Sequence, residues 1–175
     1  SQLNDIAKEG AVLASNTSYL DIDKIASATD RVGDVIGLHF FSPANIMRLL
    51  EIVVPTNVKD DVVATGFQLA KILKKVPVRA GNCDGFIGNR VLENYAKAAN
   101  YMMEDGTSPY DIDKAIVEFG YPMGPFQMFD LAGGDIGWAD RKRKAAFRSN
   151  EERYVSIADR LSLIHISEPT RRTVI

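Results

Sequence analysis

Cysteine is almost missing from this sequence: there is one thiol, Cys83, in 175 residues. It cannot close an internal disulfide, and two histidines beside it are too few for a cysteine-rich zinc set. An excess of charge of one sign is missing too. With 21 Lys and Arg against 23 Asp and Glu, no overall basic field gathers nucleic acid, and any anionic ligand has to be held locally. No apolar run approaches the roughly 20 residues that span a bilayer. The start Ser1-Gln2-Leu3-Asn4 has neither an initiator Met nor a basic-then-apolar signal, so the N-terminus reads as cut. There is no G-x-S-x-G elbow, and Gly81 to Gly88 lacks both a Walker lysine and the G-x-G-x-x-G spacing of a phosphate loop. What is present is an ordinary globular composition, 46% hydrophobic and 25% charged, long enough for one domain or one and a half.

The apolar run Ala11 to Ala14 reads as a buried strand that ends in the turn formers Ser15-Asn16-Thr17-Ser18. Asp21 to Ala26 has acids in a first turn and apolar residues at helical spacing, and Val35 to Phe41 returns to strand composition. Leu49 to Val54 predicts a further strand, Asp60 to Lys74 a helix, and Val76-Pro77-Val78 an edge strand. This alternation argues for an α/β layer with partly parallel pairing. The composition changes at Gly81-Asn82-Cys83-Asp84-Gly85, where turn chemistry suggests a domain boundary. Beyond it, Ile87, Val91, Tyr95, Ala98 and Met102 recur every three to four residues and predict a helix of about five turns. Ser108-Pro109 opens a second helix that Gly120 closes, and further helices are expected from Phe126 and near Ile136.

The end of the chain stands apart. Leu161-Ser162-Leu163-Ile164-His165-Ile166-Ser167-Glu168-Pro169-Thr170-Arg171 resembles the conceptual translation of a sequencing adapter. Residues 162–175 are therefore expected to be read-through, against the alternative of a true strand at Leu163 to Ile166. With His165 set aside, His39 is the one side chain whose unperturbed titration suits proton transfer near neutral pH. Glu51 lies twelve residues further on in the next strand, and a turn at Pro43-Ala44-Asn45 can bring the two together. A carboxylate on an imidazole fixes its tautomer and stabilises its protonated form. The alternative is a core histidine beside Phe40 and Phe41. Asn16, Thr17, Ser18 and His39 share the carboxyl rim of the expected sheet, where open α/β sheets bind ligands; Asn16 to Ser18 would equally serve as a helix cap. Asn89 opens the long helix and can aim its amide at that rim. The basic run Arg141-Lys142-Arg143-Lys144 reads as a solvated helix face.

Four strings in this order and spacing resemble the 3-hydroxyacyl-CoA dehydrogenases: Ser15 to Ser18, Gly37-Leu38-His39-Phe40-Phe41-Ser42-Pro43, Asp84-Gly85-Phe86-Ile87-Gly88-Asn89-Arg90, and Gly120-Tyr121-Pro122-Met123-Gly124-Pro125-Phe126. The likeness covers essentially Ser1 to Leu161. Ser42-Pro43-Ala44-Asn45-Ile46-Met47 and Asp130 to Trp138 look most like the dehydrogenase region of multifunctional β-oxidation enzymes. The resemblance implies an α/β fold truncated at both ends. Residues 1–80 would be the later part of a Rossmann-type NAD-binding domain, and 81–161 the start of an all-α C-terminal domain.

By the same resemblance, His39 takes the substrate proton, Glu51 orients it, Ser18 lies near substrate and nicotinamide, and Asn89 helps hold the reacting oxygen. Asn16, Ser18 and Ser42 would face NAD, with Ser42 standing where other members carry asparagine. The implied partners are an acyl-CoA thioester and either a second copy or a multifunctional-enzyme context, without nucleic acid. The implied compartment is cytoplasmic for a bacterial source and peroxisomal or mitochondrial otherwise. The Gly-rich turn and ribose-binding acid are not in this sequence, so the polypeptide as written is expected to be inactive or nearly so. The competing readings are a non-catalytic binding or assembly module on the same fold and a dehydrogenase acting on a free hydroxy acid.

Overall fold

The computed structural model describes residues 2–132, 134–149, 151 and 153–160. The adapter-like segment 162–175, with His165, lies outside the described residues. Two compact units divide the chain, Ser1–Val91 and Leu92–Ile175.

The first unit is built on a four-stranded sheet in the order β1 (Leu13–Ser15), β2 (Val35–Phe40), β3 (Leu49–Val54), β4 (Val76–Gly81). β1 pairs β2 and β3 pairs β4 in parallel, while β2 and β3 run antiparallel. The helices of this unit are α1 (Gln2–Ile6), α2 (Ile22–Ser27) and α3 (Asp60–Ile72). The expected strands and helices are all present. The short α1 was not foreseen, because five residues give no period to read.

Side chains alternate across a strand, and that parity sorts the sheet. Ile36, Leu38, Leu50 and Ile52 pack with Val62 and Ala70 of α3. On the other face, Val35 and Val53 pack with Ile22 and Ala26 of α2, and with Phe86. Both faces of the central pair are therefore covered, which is why β2 and β3 are buried almost throughout and why each Ile or Leu there contributes roughly 1.5–3 kcal/mol of burial. Gly37 shares the second face with His39; a Cβ there would stand 2.7 Å from Val53 Cβ, so β2 carries no side chain at this point. Pro77 sits in β4, an outer strand of the described sheet, as its missing N–H requires.

Two polar clusters fix the ends of these elements. Asn82, just past β4, donates from Nδ2 to Asp21 Oδ1 and Asp23 Oδ2, both at 2.6 Å, and accepts from the Ile22 amide at 3.0 Å. This ties the start of α2 to the end of β4. Asp34, in the 3-10 turn Val32–Asp34 that leads into β2, is bridged by Lys59 Nζ at 2.7 Å and Arg31 Nε at 3.0 Å.

The second unit takes in most of α4 (Gly88–Glu104), with α5 (Pro109–Phe119), α6 (Pro125–Ala132) and α7 (Gly134–Lys144). α5 starts as expected with Pro109 in its first turn, although Ser108 makes no side-chain cap bond and contributes its carbonyl instead, to Asp111 and Ile112. Gly120 ends it at φ 118°, a left-handed cap. Asp113, 5% exposed, accepts the amides of Phe126 at 2.8 Å and Gln127 at 2.9 Å. A Cβ on Gly124 would lie 2.4 Å from Asp113, so the Gly120-to-Phe126 string is explained by packing between α5 and α6. In the basic run, Arg141 pairs with Asp159, Arg143 with Asp140, and Lys144 with Glu93. Lys142 lies over the Trp138 ring. It is an ion-paired helix face.

Candidate functional site

His39 and Glu51 are directly opposite one another in the antiparallel β2–β3 ladder. Their side chains meet on the Phe86 face of the sheet, with His39 Nδ1 2.6 Å from Glu51 Oε2. Both are buried, at 4% and 1% exposure. The imidazole is flanked by Phe41, with centroids 4.6 Å apart, and by Phe86 at 5.5 Å.

The other carboxylate oxygen, Oε1, accepts the backbone amides of Ile87 at 3.0 Å and Gly88 at 2.7 Å, at the start of α4. Burial pushes the Glu51 carboxyl up, but the hydrogen bonds from His39, Gly88 and Ile87 outweigh it and hold the group below its ordinary value. An ionised carboxylate has only lone pairs to offer. The proton on the 2.6 Å line therefore belongs to Nδ1, and in the neutral ring Nε2 is left with a bare lone pair.

The chain reaches this arrangement through a strained turn. Gly85 has φ 69° and Phe86 φ 47°. The left-handed region is cheap for glycine and costs an aromatic residue of the order of 1 kcal/mol or more. In return, Phe86 is 1% exposed beside the imidazole, and the next two amides converge on Glu51.

The remaining candidates lie around this pair. Asn89 Nδ2 donates to the Ser18 carbonyl at 3.4 Å, a long bond. Asn16 Oδ1 accepts from the Phe40 amide at 2.9 Å and so extends the β1–β2 pairing one step beyond the strand end. Thr17 Oγ1 accepts from Leu20 at 2.9 Å and Tyr19 at 3.3 Å, which makes it a local cap. Ser18 is half-buried and Ser42 exposed. Among the described residues neither hydroxyl has a hydrogen-bond partner. Two bonded pairs, Ser18–Asn89 and His39–Glu51, are thus joined through the backbone at Gly88, which is bound to Glu51 and precedes Asn89. Asn16 is bound to the Phe40 amide next to His39. Among the described residues no hydrogen bond ties Ser42 to these groups, although it stands three residues past His39. A cavity of about 500 Å³ lies at the opposite ends of the strands, lined by Asn4, Gly10, Arg31, Asp34 and Lys59 among others. Its charges are largely satisfied within the Asp34 cluster, and the acid–base pair is elsewhere. Among the described residues no group of His, Cys, Asp or Glu could hold a metal ion.

A family model for the NAD binding domain of 3-hydroxyacyl-CoA dehydrogenase matches residues 1–83, and one for the C-terminal domain matches residues 85–165. The chain belongs to the 3-hydroxyacyl-CoA dehydrogenase family. It is 46% identical over 171 residues to the peroxisomal bifunctional enzyme of Cavia porcellus, covering 91% of this chain and 24% of that protein. With the peroxisomal bifunctional enzyme of Homo sapiens it shares 48% identity over 141 residues, which is 81% of this chain and 20% of that one. The fold matches the crystal structure of FadB2 from M. tuberculosis with a TM-score of 0.81 at 32% identity, covering 96% of this chain and 59% of that one. The chain therefore spans about a quarter or less of the length of these curated relatives.

Membership in this dehydrogenase family settles the fold: a Rossmann-like NAD-binding part followed by a helical C-terminal part. The residues present fit one end of a dinucleotide. Two hydroxyls without a hydrogen-bond partner among the described residues and the Asn16 amide stand at the carboxyl ends of β1 and β2, where open α/β sheets bind their ligands. The glycines for a pyrophosphate turn are not in this sequence. Sequence reasoning missed the Ile87 and Gly88 amides and the flanking role of Phe86, because backbone donors carry no residue signature. A positive-φ pair of the kind at Gly85-Phe86 is hinted at only by its glycine.

Proposed function

We propose that this chain is the acid–base portion of an NAD-dependent (S)-3-hydroxyacyl-CoA dehydrogenase that oxidises 3-hydroxyacyl-CoA to 3-ketoacyl-CoA in fatty-acid β-oxidation. The observation that carries it is the buried His39–Glu51 pair with Nε2 unencumbered. Residues 1–80 supply the later part of the nucleotide-binding domain and residues 81–161 the start of the helical one. The likeness to bifunctional enzymes supports a multifunctional parent. The peroxisomal and glyoxysomal relatives support a peroxisomal setting.

In this reading His39 Nε2 removes the proton from the 3-hydroxyl as the C–O bond becomes a carbonyl. Glu51 holds the ring and offsets the charge it gains. Ser18 and Asn89 donate to the reacting oxygen, where charge develops. Asn16, Ser18 and Ser42 would hold NAD, which when bound would supply the acceptor for the hydride of C3. Phe41 and Phe86 keep water from the ring. Replacing His39 by Gln in the full-length protein removes the base and should lower turnover about 10²–10⁴-fold. Near-normal turnover of a 3-hydroxyacyl-CoA by that variant would end the assignment.

A further inference from the structure

We propose that the Ile87 and Gly88 amides, at the start of α4, are positioning groups that set the hydrogen-bond polarity of the His39–Glu51 pair. This inference rests on His39 being the base. Glu51 is gripped at both ends: Oε1 by two N–H donors, Oε2 by the imidazole. The two donors at 3.0 and 2.7 Å can be satisfied only by an acceptor, so whatever occupies position 51 must turn an oxygen toward α4. A carboxylate has a second oxygen to offer His39. A carboxamide does not.

Glu51→Gln tests the idea because Gln has nearly the same shape. With its oxygen claimed by Ile87 and Gly88, its NH2 must point at Nδ1 and donate to it. Nδ1 then becomes the bare nitrogen and Nε2 carries the proton, so the ring presents a donor where the reaction needs an acceptor. Were the amides indifferent, Gln would rotate by half a turn, present its oxygen to Nδ1–H, and leave the original tautomer in place. The two amides therefore decide between a working and an inverted base, although neither touches His39.

The measurement is a long-range ¹H–¹⁵N correlation spectrum of the full ¹⁵N-labelled chain carrying His165→Gln, so that His39 alone reports, with and without Glu51→Gln. The expected result is a protonated-type Nδ1 and bare-type Nε2 signal in the parent, with the two exchanging places in the Gln variant. Retention of the parent pattern in Glu51→Gln overturns the proposal. Should that variant fail to fold, the parent spectrum still decides: Nδ1–H together with slow solvent exchange at the Ile87 and Gly88 amides is required, and fast exchange at either amide refutes the grip. The spectrum reads the tautomer whether or not the protein turns over substrate, so failure of this proposal and failure of the dehydrogenase reading are separate outcomes.

Discussion

Asp113→Ala should loosen the start of α6 without touching the His39 site. The carboxylate is 5% exposed and accepts two amides, at 2.8 and 2.9 Å. Hydrogen bonds to a charged group contribute about 1.5–3 kcal/mol each, while losing an N-terminal cap costs about 0.5–2 kcal/mol. Phe126 and Gln127 are half-buried or exposed, so water recovers part of the loss, and about 2–4 kcal/mol remains. That corresponds to roughly a 30- to 1,000-fold rise in the opening equilibrium at these amides. Hydrogen exchange at Phe126 and Gln127 reads it directly. Glu118→Ala is the control: it lies on the same helix, is exposed, and faces Lys114 at 3.9 Å, so it should cost no more than about 0.5 kcal/mol. Equal exchange in the two variants would refute the capping argument and leave the Gly124 contact as the sole reason for the motif.

Two further outcomes follow from the sheet. Lys59 and then Arg31 hold the Asp34 carboxyl below its ordinary value; a depressed folded value stabilises the fold above the unfolded value near about 4 and is lost as pH falls through the folded one. Asp34→Asn should thus flatten the acid limb of the urea midpoint against pH below about pH 4, and an unchanged limb would sink the linkage. Gly37→Ala places a methyl 2.7 Å from Val53 Cβ and should lower stability by about 1–3 kcal/mol; an unshifted urea midpoint would show that the strand yields freely.

Much of the site was legible in the sequence. Two strands joined by a turn, with an imidazole in one and a carboxylate in the other, leave few places for the pair to go, and parity put both on one face. The Asn16-to-Ser18 turn was legible in the same way, from its place at a strand end. What could not be read depends on contacts between distant backbones. Turn chemistry marks residues 81–85 as the change from sheet to helix, but it does not tell that the compact first unit runs on to Val91. Glu51 fastens the amides of Ile87 and Gly88, bonds between groups 36 and 37 residues apart that no local pattern announces. Asp113 escaped notice because a buried helix-capping acid and an exposed one look alike until α6 is placed beside α5.

The double grip on Glu51 also bears on how relatives of this chain should be read. A lineage that abandoned dehydrogenation would lose any need for His39, but α4 would still need an acceptor for its first amides, and selection would go on favouring an acid at position 51. Among descendants of this fold, the persistence of that acid therefore says little about whether chemistry survives. The imidazole opposite it is the discriminating residue, and a chain that keeps Glu51 while replacing His39 marks a retired enzyme rather than a sequencing error.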